Sequence, residues 1–140
     1  MQMYLIDTNV ISELRKKGKM NTGVESFFNQ AHKNRTDLYI SVVTVGELFR
    51  GLRNIRHRGD VKQAQLLALW LNGLVEEYQR NILAFDEESA QIWARLRVPN
   101  HENAPDKQIV ATAFVYGLTL VTRNTKDFAG TGVKLINPFN

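Results

Sequence analysis

The residues best able to do chemistry in this 140-residue chain are acids scattered along its length: Asp7, Glu47, Asp106 and Asp127, with the amide Asn124 near the last. Asp7 directly follows the apolar run MYLI, Asp106 opens the segment DKQIVATA, and Asn124 and Asp127 lie in TRNTKDF. Each of these has an ordinary explanation. An Asp between a strand and a helix caps the helix, an acid in a first helical turn complements the dipole, and Asn or Asp in a turn supports its backbone. Glu47 is different, because it stands between Val45 and Leu48 in VVTVGELF, a run built for burial. A buried carboxylate without a partner is costly, and a cation would relieve that cost. If these acids meet, three or four carboxylate oxygens without a cysteine or a histidine pair suit Mg²⁺ or Mn²⁺ better than zinc. Such an ion polarises a phosphodiester, acidifies a bound water and neutralises the leaving oxygen, so the chemistry is phosphodiester hydrolysis. Acids crowded together without a cation should raise at least one pKa, and metal affinity should fall as pH is lowered.

For the acids to meet, the segments that carry them must converge at one edge of a sheet. Short β-rich runs at 3–6, 38–41, 82–85, 119–122 and, more weakly, 133–136 alternate with stretches of helical period. That alternation predicts βαβ units around a parallel sheet of four to five strands, a three-layer α/β/α domain covering residues 1–140. Ligands of such sheets bind beyond the carboxyl ends of the strands, which is where these acids fall. Asp7 or Thr8 can cap a first helix reaching Arg15, and Val24, Phe27, Phe28 and Ala31 space the stripe of a second. A third helix is predicted over 44–53 and a fourth over 62–78, with Leu66, Leu69, Trp70 and Leu74 facing inward. Asp86 opens a fifth, with Ala90, Trp93, Ala94 and Leu96 toward the core. Pro105 begins a sixth that Gly117 stops. The polar segments 16–21, 57–60 and 98–103 are too short to be domain linkers.

Composition narrows the functional classes. A chain of this length with 44% hydrophobic residues can bury one core unaided. With no cysteine, disulfides, zinc–thiolate sites and cysteine nucleophiles are excluded, and a reducing cytoplasm is the natural setting. The start MQMYLIDTN has no basic region followed by an apolar stretch, so no signal peptide is expected. Nor does any run approach the ~20 apolar residues of a membrane span. Eighteen Lys and Arg against fourteen Asp and Glu give a net charge of +4, a modest excess suited to a polyanionic partner.

Arg50, Arg53 and Arg56 recur at intervals of three beside Glu47, and Arg58 and Lys62 extend the positive stretch. They form either a solvated helix face or a track for phosphates entering the acidic site. Arg15, Lys16, Lys17 and Lys19 make a second basic cluster. Arg123 is placed either to touch a scissile phosphate or to pair within the acids. Trp70, Trp93, Phe27, Phe28 and Phe114 have core spacing, whereas Phe49 and Tyr78 could belong to a protein interface.

Four blocks, LIDTNVISEL, SVVTVGELFRGL, PDKQIVATA and LTLVTRNTKDF, resemble in order and spacing the signature segments of the PIN-domain nucleases. The resemblance runs from Met3 to Pro138 and is strongest to the VapC- and FitB-like toxins of type II toxin–antitoxin systems. It implies a Mg²⁺- or Mn²⁺-dependent endoribonuclease in which Asp7, Glu47 and Asp106 ligate the catalytic metal, with Thr8, Asn9 and Thr122 as supporting polar groups. Many relatives carry an acid where this chain has Asn124. Whether Asn124, Asp127 or both complete the site therefore stays open, and an amide ligand would hold a second metal more weakly. The resemblance further implies a homodimer neutralised by a VapB-like antitoxin. The antitoxin's C-terminal segment would obstruct the acidic site, with basic side chains able to pair with its acids, while its other end binds operator DNA.

Three other readings compete. A metal-free ribonuclease would use two of His32, His57 and His101 as acid and base, ignore EDTA and pass through a cyclic phosphate. A response-regulator-like switch would want paired acids after its first strand and a lysine after its last, neither of which is evident. A PIN-fold module that binds RNA or protein without cutting would keep its nucleic-acid binding after Asp7→Asn.

Overall fold

A computed structural model describes residues 2–16, 18–99 and 102–140; Lys17 and His101 lie outside the described residues. The apolar run before Asp7 forms the central strand, β1 (Tyr4–Ile6). Around it lie β2 (Leu38–Ser41), β3 (Ile82–Leu83), β4 (Thr119–Val121) and β5 (Leu135–Ile136). The order is β3-β2-β1-β4-β5, and every neighbouring pair is parallel. Parallel neighbours need crossover connections, supplied among the first four strands by α1 (Thr8–Ile11), α2 (Thr22–Lys33), α3 (Val42–His57), α4 (Val61–Glu77), α5 (Glu87–Leu96) and α6 (Ala104–Tyr116), whereas β4 and β5 are joined by the helix-free segment 122–134. The chain steps outward from β1 to β2 to β3, then returns to the other side of β1 for β4 and β5. The reversal makes β1/β4 the switch point, where such sheets open a crevice.

Successive strand residues point to opposite faces, and both faces are covered, which is why the strands are apolar rather than alternating. Ile6 and Val121 pack with Val10, Ile11, Val24 and Leu74 of α1, α2 and α4. Leu5 and Leu120 pack on the other side with Ile109, Val110 and Ala113 of α6 and with Phe128. The result is the three-layer α/β/α arrangement that the alternating pattern predicts.

Several elements differ from the sequence expectation. The edge strands β3 and β5 are shorter, each being paired along one side only. The first helix does not run unbroken to Arg15: after Ile11 the chain tightens into a 3₁₀ turn, Ser12–Arg15, that turns Glu13 inward to accept from the Asn21 backbone N–H at 2.9 Å. α3 is longer than expected at both ends, running to His57, and at its start Ser41 Oγ accepts from Val43 N at 3.0 Å and begins the helix early. α6 begins one residue before Pro105 and ends at Gly117, whose φ of 66° suits a residue without Cβ.

The largest correction concerns α4. Leu66 and Leu69 are 57% and 72% exposed, and the buried stripe is Ala64, Leu67, Leu71 and Leu74. With apolar residues at every position from 66 to 71, composition alone leaves the inward face undecided, and packing against Leu52 of α3 selects it. On α5, Ala94 is exposed and Ser89 is buried. Phe114 is 40% exposed, with the Arg95 guanidinium 5.2 Å from its ring centroid, and Tyr78 is a core residue. Among the described residues no helix is long and apolar enough to cross a membrane.

Because Leu71 is fully buried and Leu69 is not, Leu71→Ala should destabilise the fold by about 2–5 kcal/mol. Leu69→Ala should change stability by less than about 0.5 kcal/mol. Urea denaturation of the two variants measures this contrast, and equal losses would refute the assigned face.

Candidate active site

The site is built around Asp7, which follows β1 and caps α1 with extended backbone angles. Its Oδ1 accepts from Thr8 N at 2.7 Å and its Oδ2 from Thr122 Oγ1 at 2.7 Å. Thr122 lies one residue beyond β4, so this second bond spans the switch point. The Thr122 hydroxyl also accepts from Asn124 N at 3.0 Å, which orients its lone pairs toward the loop and its proton toward Asp7. Asp7 is only 2% exposed. Burial pushes its pKa up to about 6 against the pull of both hydrogen bonds, and the negative charges of Asp106 and Glu47 push the same way. Asp7 is therefore both the ordinary helix cap and the hub of an acidic field.

Glu47 reaches that field from α3. Thr8 Oγ1 lies 2.9 Å from Glu47 Oε1 and 3.1 Å from Thr44 Oγ1. A hydroxyl has one proton, and the carboxylate is the stronger acceptor, so Thr8 donates to Glu47 and Thr44 donates to Thr8. Thr44 is fully buried. Sequence reasoning missed it, although its place three residues before Glu47, on the same helix face, was legible.

Asp106 sits in the first turn of α6, whose start is pinned to α5 by Trp93 Nε1 donating to Ala104 O at 3.1 Å. Its pKa is raised by burial first, then by the charges of Glu47 and Asp127. Asp127 is exposed on the loop after β4, with its backbone N donating to Asn124 O at 3.1 Å. Asn124 is half-buried and anchored through its own N–H to Thr122. Asn9 ties α1 to the same loop by accepting from Arg123 N at 3.2 Å. The fold thus brings Asp7, Glu47, Asp106 and Asp127 into one electrostatic neighbourhood.

That donor set, all carboxylate oxygen and mutually repelling, has the chemistry of a hard-cation site. Among the described residues, however, no three His, Asp or Glu side chains are gathered into a finished metal shell.

The basic residues fall differently from expectation. Arg50, Arg53 and Arg56 are exposed on α3, but Arg56 lines a groove beside α4 with Val61, Ala64, Ala68 and Leu69. The Arg123 guanidinium lies 4.7 Å from the Phe139 ring centroid and its charge acts on Glu13, not within the acidic cluster. Glu13, buried and overlooked in the sequence, has its pKa lowered chiefly by hydrogen bonding to Lys16, with which it forms an ion pair. The criterion that marks Glu47, an acid within a run built for burial, does not single it out, because Glu13 stands between Ser12 and Leu14 ahead of Arg15, Lys16 and Lys17 rather than in an apolar run. Lys16 is accordingly not a free cation. His32 and His57 are exposed on α2 and α3, His32 in a groove between α2 and α4.

A parallel α/β/α sheet with its acids collected beyond the strand ends defines a class of proteins with an acidic crevice at the switch point. The family model for the PIN domain matches residues 4–134, and the chain belongs to the PIN domain family. It is 32% identical to Toxin FitB of Neisseria gonorrhoeae, over 99% of both chains. Identity to VapC ribonuclease Y4jK of Sinorhizobium fredii is also 32%, over 98% of both. Among solved structures it is similar to FitAcB from Neisseria gonorrhoeae, with a TM-score of 0.83 and 32% identity over 97% of this chain and 98% of that one. It is also similar to a chain of a toxin-antitoxin complex from Klebsiella pneumoniae, with a TM-score of 0.64 and 26% identity over 98% of each.

The raised pKa of Asp7 has a definite sign in stability. The folded state holds this proton more tightly than the unfolded chain, so the penalty is absent below pH 3.8 and complete above about 6. Metal-free protein should lose stability across that window, by about 3 kcal/mol from this residue. Asp7→Asn should remove that part of the slope and be the more stable protein at pH 7.5. Denaturation curves of both proteins between pH 4 and 7.5 check this, and parallel pH profiles would refute it.

Proposed function

We propose that this chain is a Mg²⁺- or Mn²⁺-dependent endoribonuclease that hydrolyses RNA phosphodiesters, and that it is the toxin of a toxin–antitoxin pair. The observation that carries the reading is the buried Asp7 carboxylate, held above its ordinary pKa in the company of Glu47 and Asp106. Relatives named as a toxin and as a VapC ribonuclease support the same reading.

Asp7, Glu47 and Asp106 would hold the cation, with Asp127 adding charge and Asn124 offering a carbonyl oxygen. When bound, such an ion polarises the phosphodiester, acidifies a water and neutralises charge on the leaving oxygen. The chain's own groups prepare that site. Thr8 N and Thr122 Oγ1 fix both oxygens of Asp7, so the carboxylate needs no reorganisation to present its remaining lone pairs. Thr44, through Thr8, orients Glu47. The start of α6, pinned to α5, fixes the turn that carries Asp106. Burial around Asp7 lowers the local dielectric, which strengthens its attraction for a cation.

The solved toxin-antitoxin complex of a related chain supports a cognate antitoxin for this protein. That antitoxin is proposed to be VapB-like and to make any contact with operator DNA, a reading supported by the FitAB structure bound to a DNA fragment. A cationic side chain of the antitoxin placed among Asp7, Glu47 and Asp106 would supply the charge a metal otherwise provides. The toxin itself is proposed to be a homodimer, which requires a solution mass twice that of the chain.

Cleavage of a mixed RNA pool by the parent protein should require Mg²⁺ or Mn²⁺, stop with EDTA and leave 5′-phosphate ends. Asp106→Asn should reduce the rate by about 100-fold or more. Equal activity with and without metal in both proteins would end the case, and activity that ignores EDTA and passes through a cyclic phosphate would favour histidine chemistry. RNA binding by the parent without cleavage under any condition would make the chain a binding module.

The cation should also raise the melting temperature at pH 7.5 more than at pH 5, because protonated carboxyls cannot ligate. Co-expression with the product of the adjacent gene should yield a complex lacking nuclease activity; a complex that retains full activity would remove the antitoxin assignment.

A further inference from the structure

α3 carries one acid, Glu47, and three arginines, Arg50, Arg53 and Arg56, and the helical backbone continues into Arg58 at its C-cap (φ −73°, ψ −9°). All four arginines are exposed, and among the described residues none of their guanidiniums is engaged by an ion pair or a side-chain hydrogen bond. They are not equivalent around the helix.

At 3.6 residues per turn, Arg50 lies about 60° from Glu47, and Asn54 and Arg58 lie about 20° from it on either side. Arg53 is about 120° away and Arg56 about 180°. Leu48, Leu52 and Ile55 occupy the flank that packs on α4. The groove position of Arg56 beside Ala64 and Leu69 agrees with its place on the far side of the helix. With a rise of 1.5 Å per residue, Arg50, Asn54 and Arg58 stand about 4.5, 10.5 and 16.5 Å along the axis from Glu47. An unopposed line of cation, amide and cation therefore leads away from the acidic site, on a helix with no second acid.

We propose that this line is the path of the RNA strand, with Arg50 and Arg58 contacting backbone phosphates on one side of the scissile bond and Asn54 between them. Arg53 and Arg56 lie off the path. The assignment rests on the ribonuclease reading and deepens it. Phosphate contacts of this kind give affinity without sequence choice and make binding steeply salt-dependent.

The test uses the full chain carrying Asp7→Asn, which removes cleavage, and a fluorescent single-stranded RNA, with anisotropy read between 50 and 300 mM KCl. Arg50→Ala and Arg58→Ala should each reduce the slope of log affinity against log salt by about 0.7, which is about fivefold in affinity at 0.1 M salt. Arg53→Ala and Arg56→Ala should leave both quantities unchanged. In the otherwise unmodified protein, Arg58→Ala should slow cleavage of a long RNA but not of a dinucleotide too short to reach it.

Equal effects from all four arginines, or larger ones from Arg53 and Arg56, would overturn the path. A poly-glutamate peptide that binds as tightly as RNA through Arg50 and Arg58 would overturn its assignment to RNA. If the protein cuts and binds RNA while Arg50 and Arg58 variants behave as the parent, only the path fails. If it neither binds nor cuts RNA, the ribonuclease reading fails and the path with it.

Discussion

A single buried carboxylate organises this molecule. Asp7 closes β1, caps α1 and accepts the Thr122 hydroxyl across the switch point of the sheet. These roles compete, because the position that gives the helix its cap also takes a negative charge out of water. Two hydrogen bonds pull its pKa down and burial pushes it up, and burial wins. The neighbouring acids add to the strain. Such a group is poorly explained as a stabiliser of the fold alone, and a strongly perturbed acid in a crevice beside further acids is a candidate functional site.

The architecture exists to place three chain segments beside that carboxylate. Strand order puts β2 and β4 on either side of β1, so the segments after all three strands emerge at one edge. From β2 comes α3, bringing Thr44 and Glu47; from β4 comes the loop with Thr122, Asn124 and Asp127; α6 adds Asp106 from the other layer. The polar contacts among these segments are few and specific: Thr44 to Thr8 to Glu47, Thr122 to Asp7, and Asn9 to the backbone of Arg123. Each ties residues far apart in sequence. Together they hold a repelling set of acids close, which packing of the two apolar layers makes affordable.

The helix α3 shows how one element serves several ends. Its apolar flank closes against α4, its Thr44 and Glu47 edge meets α1, and its remaining surface carries toward solvent arginines that make no ion pair among the described residues. The spacing of three residues that made Arg50, Arg53 and Arg56 look like one stripe in fact rotates them around the helix, because three residues fall short of a full turn by about 60°. Arg56 consequently ends beside α4.

From sequence alone, the fold class, the strand and helix alternation and the acids after the strands were all legible, because they depend on periodicity, chain direction and residue type. Glu47 stood out as a carboxylate in an apolar run expected to be buried; in the fold it is half-buried, with Thr8 Oγ1 at 2.9 Å. What local pattern could not decide was phase and pairing. The inward face of α4 is ambiguous when apolar residues fill both sides, so only contact with Leu52 chose Leu67 and Leu71 over Leu66 and Leu69. Likewise Arg123 turned to Phe139 and Glu13, Lys16 was taken by Glu13, and Thr44 became a donor into the acidic site. Those outcomes depend on which side chains arrive at the same place. Only the packed tertiary structure determines that, since the partners are separated by long stretches of chain.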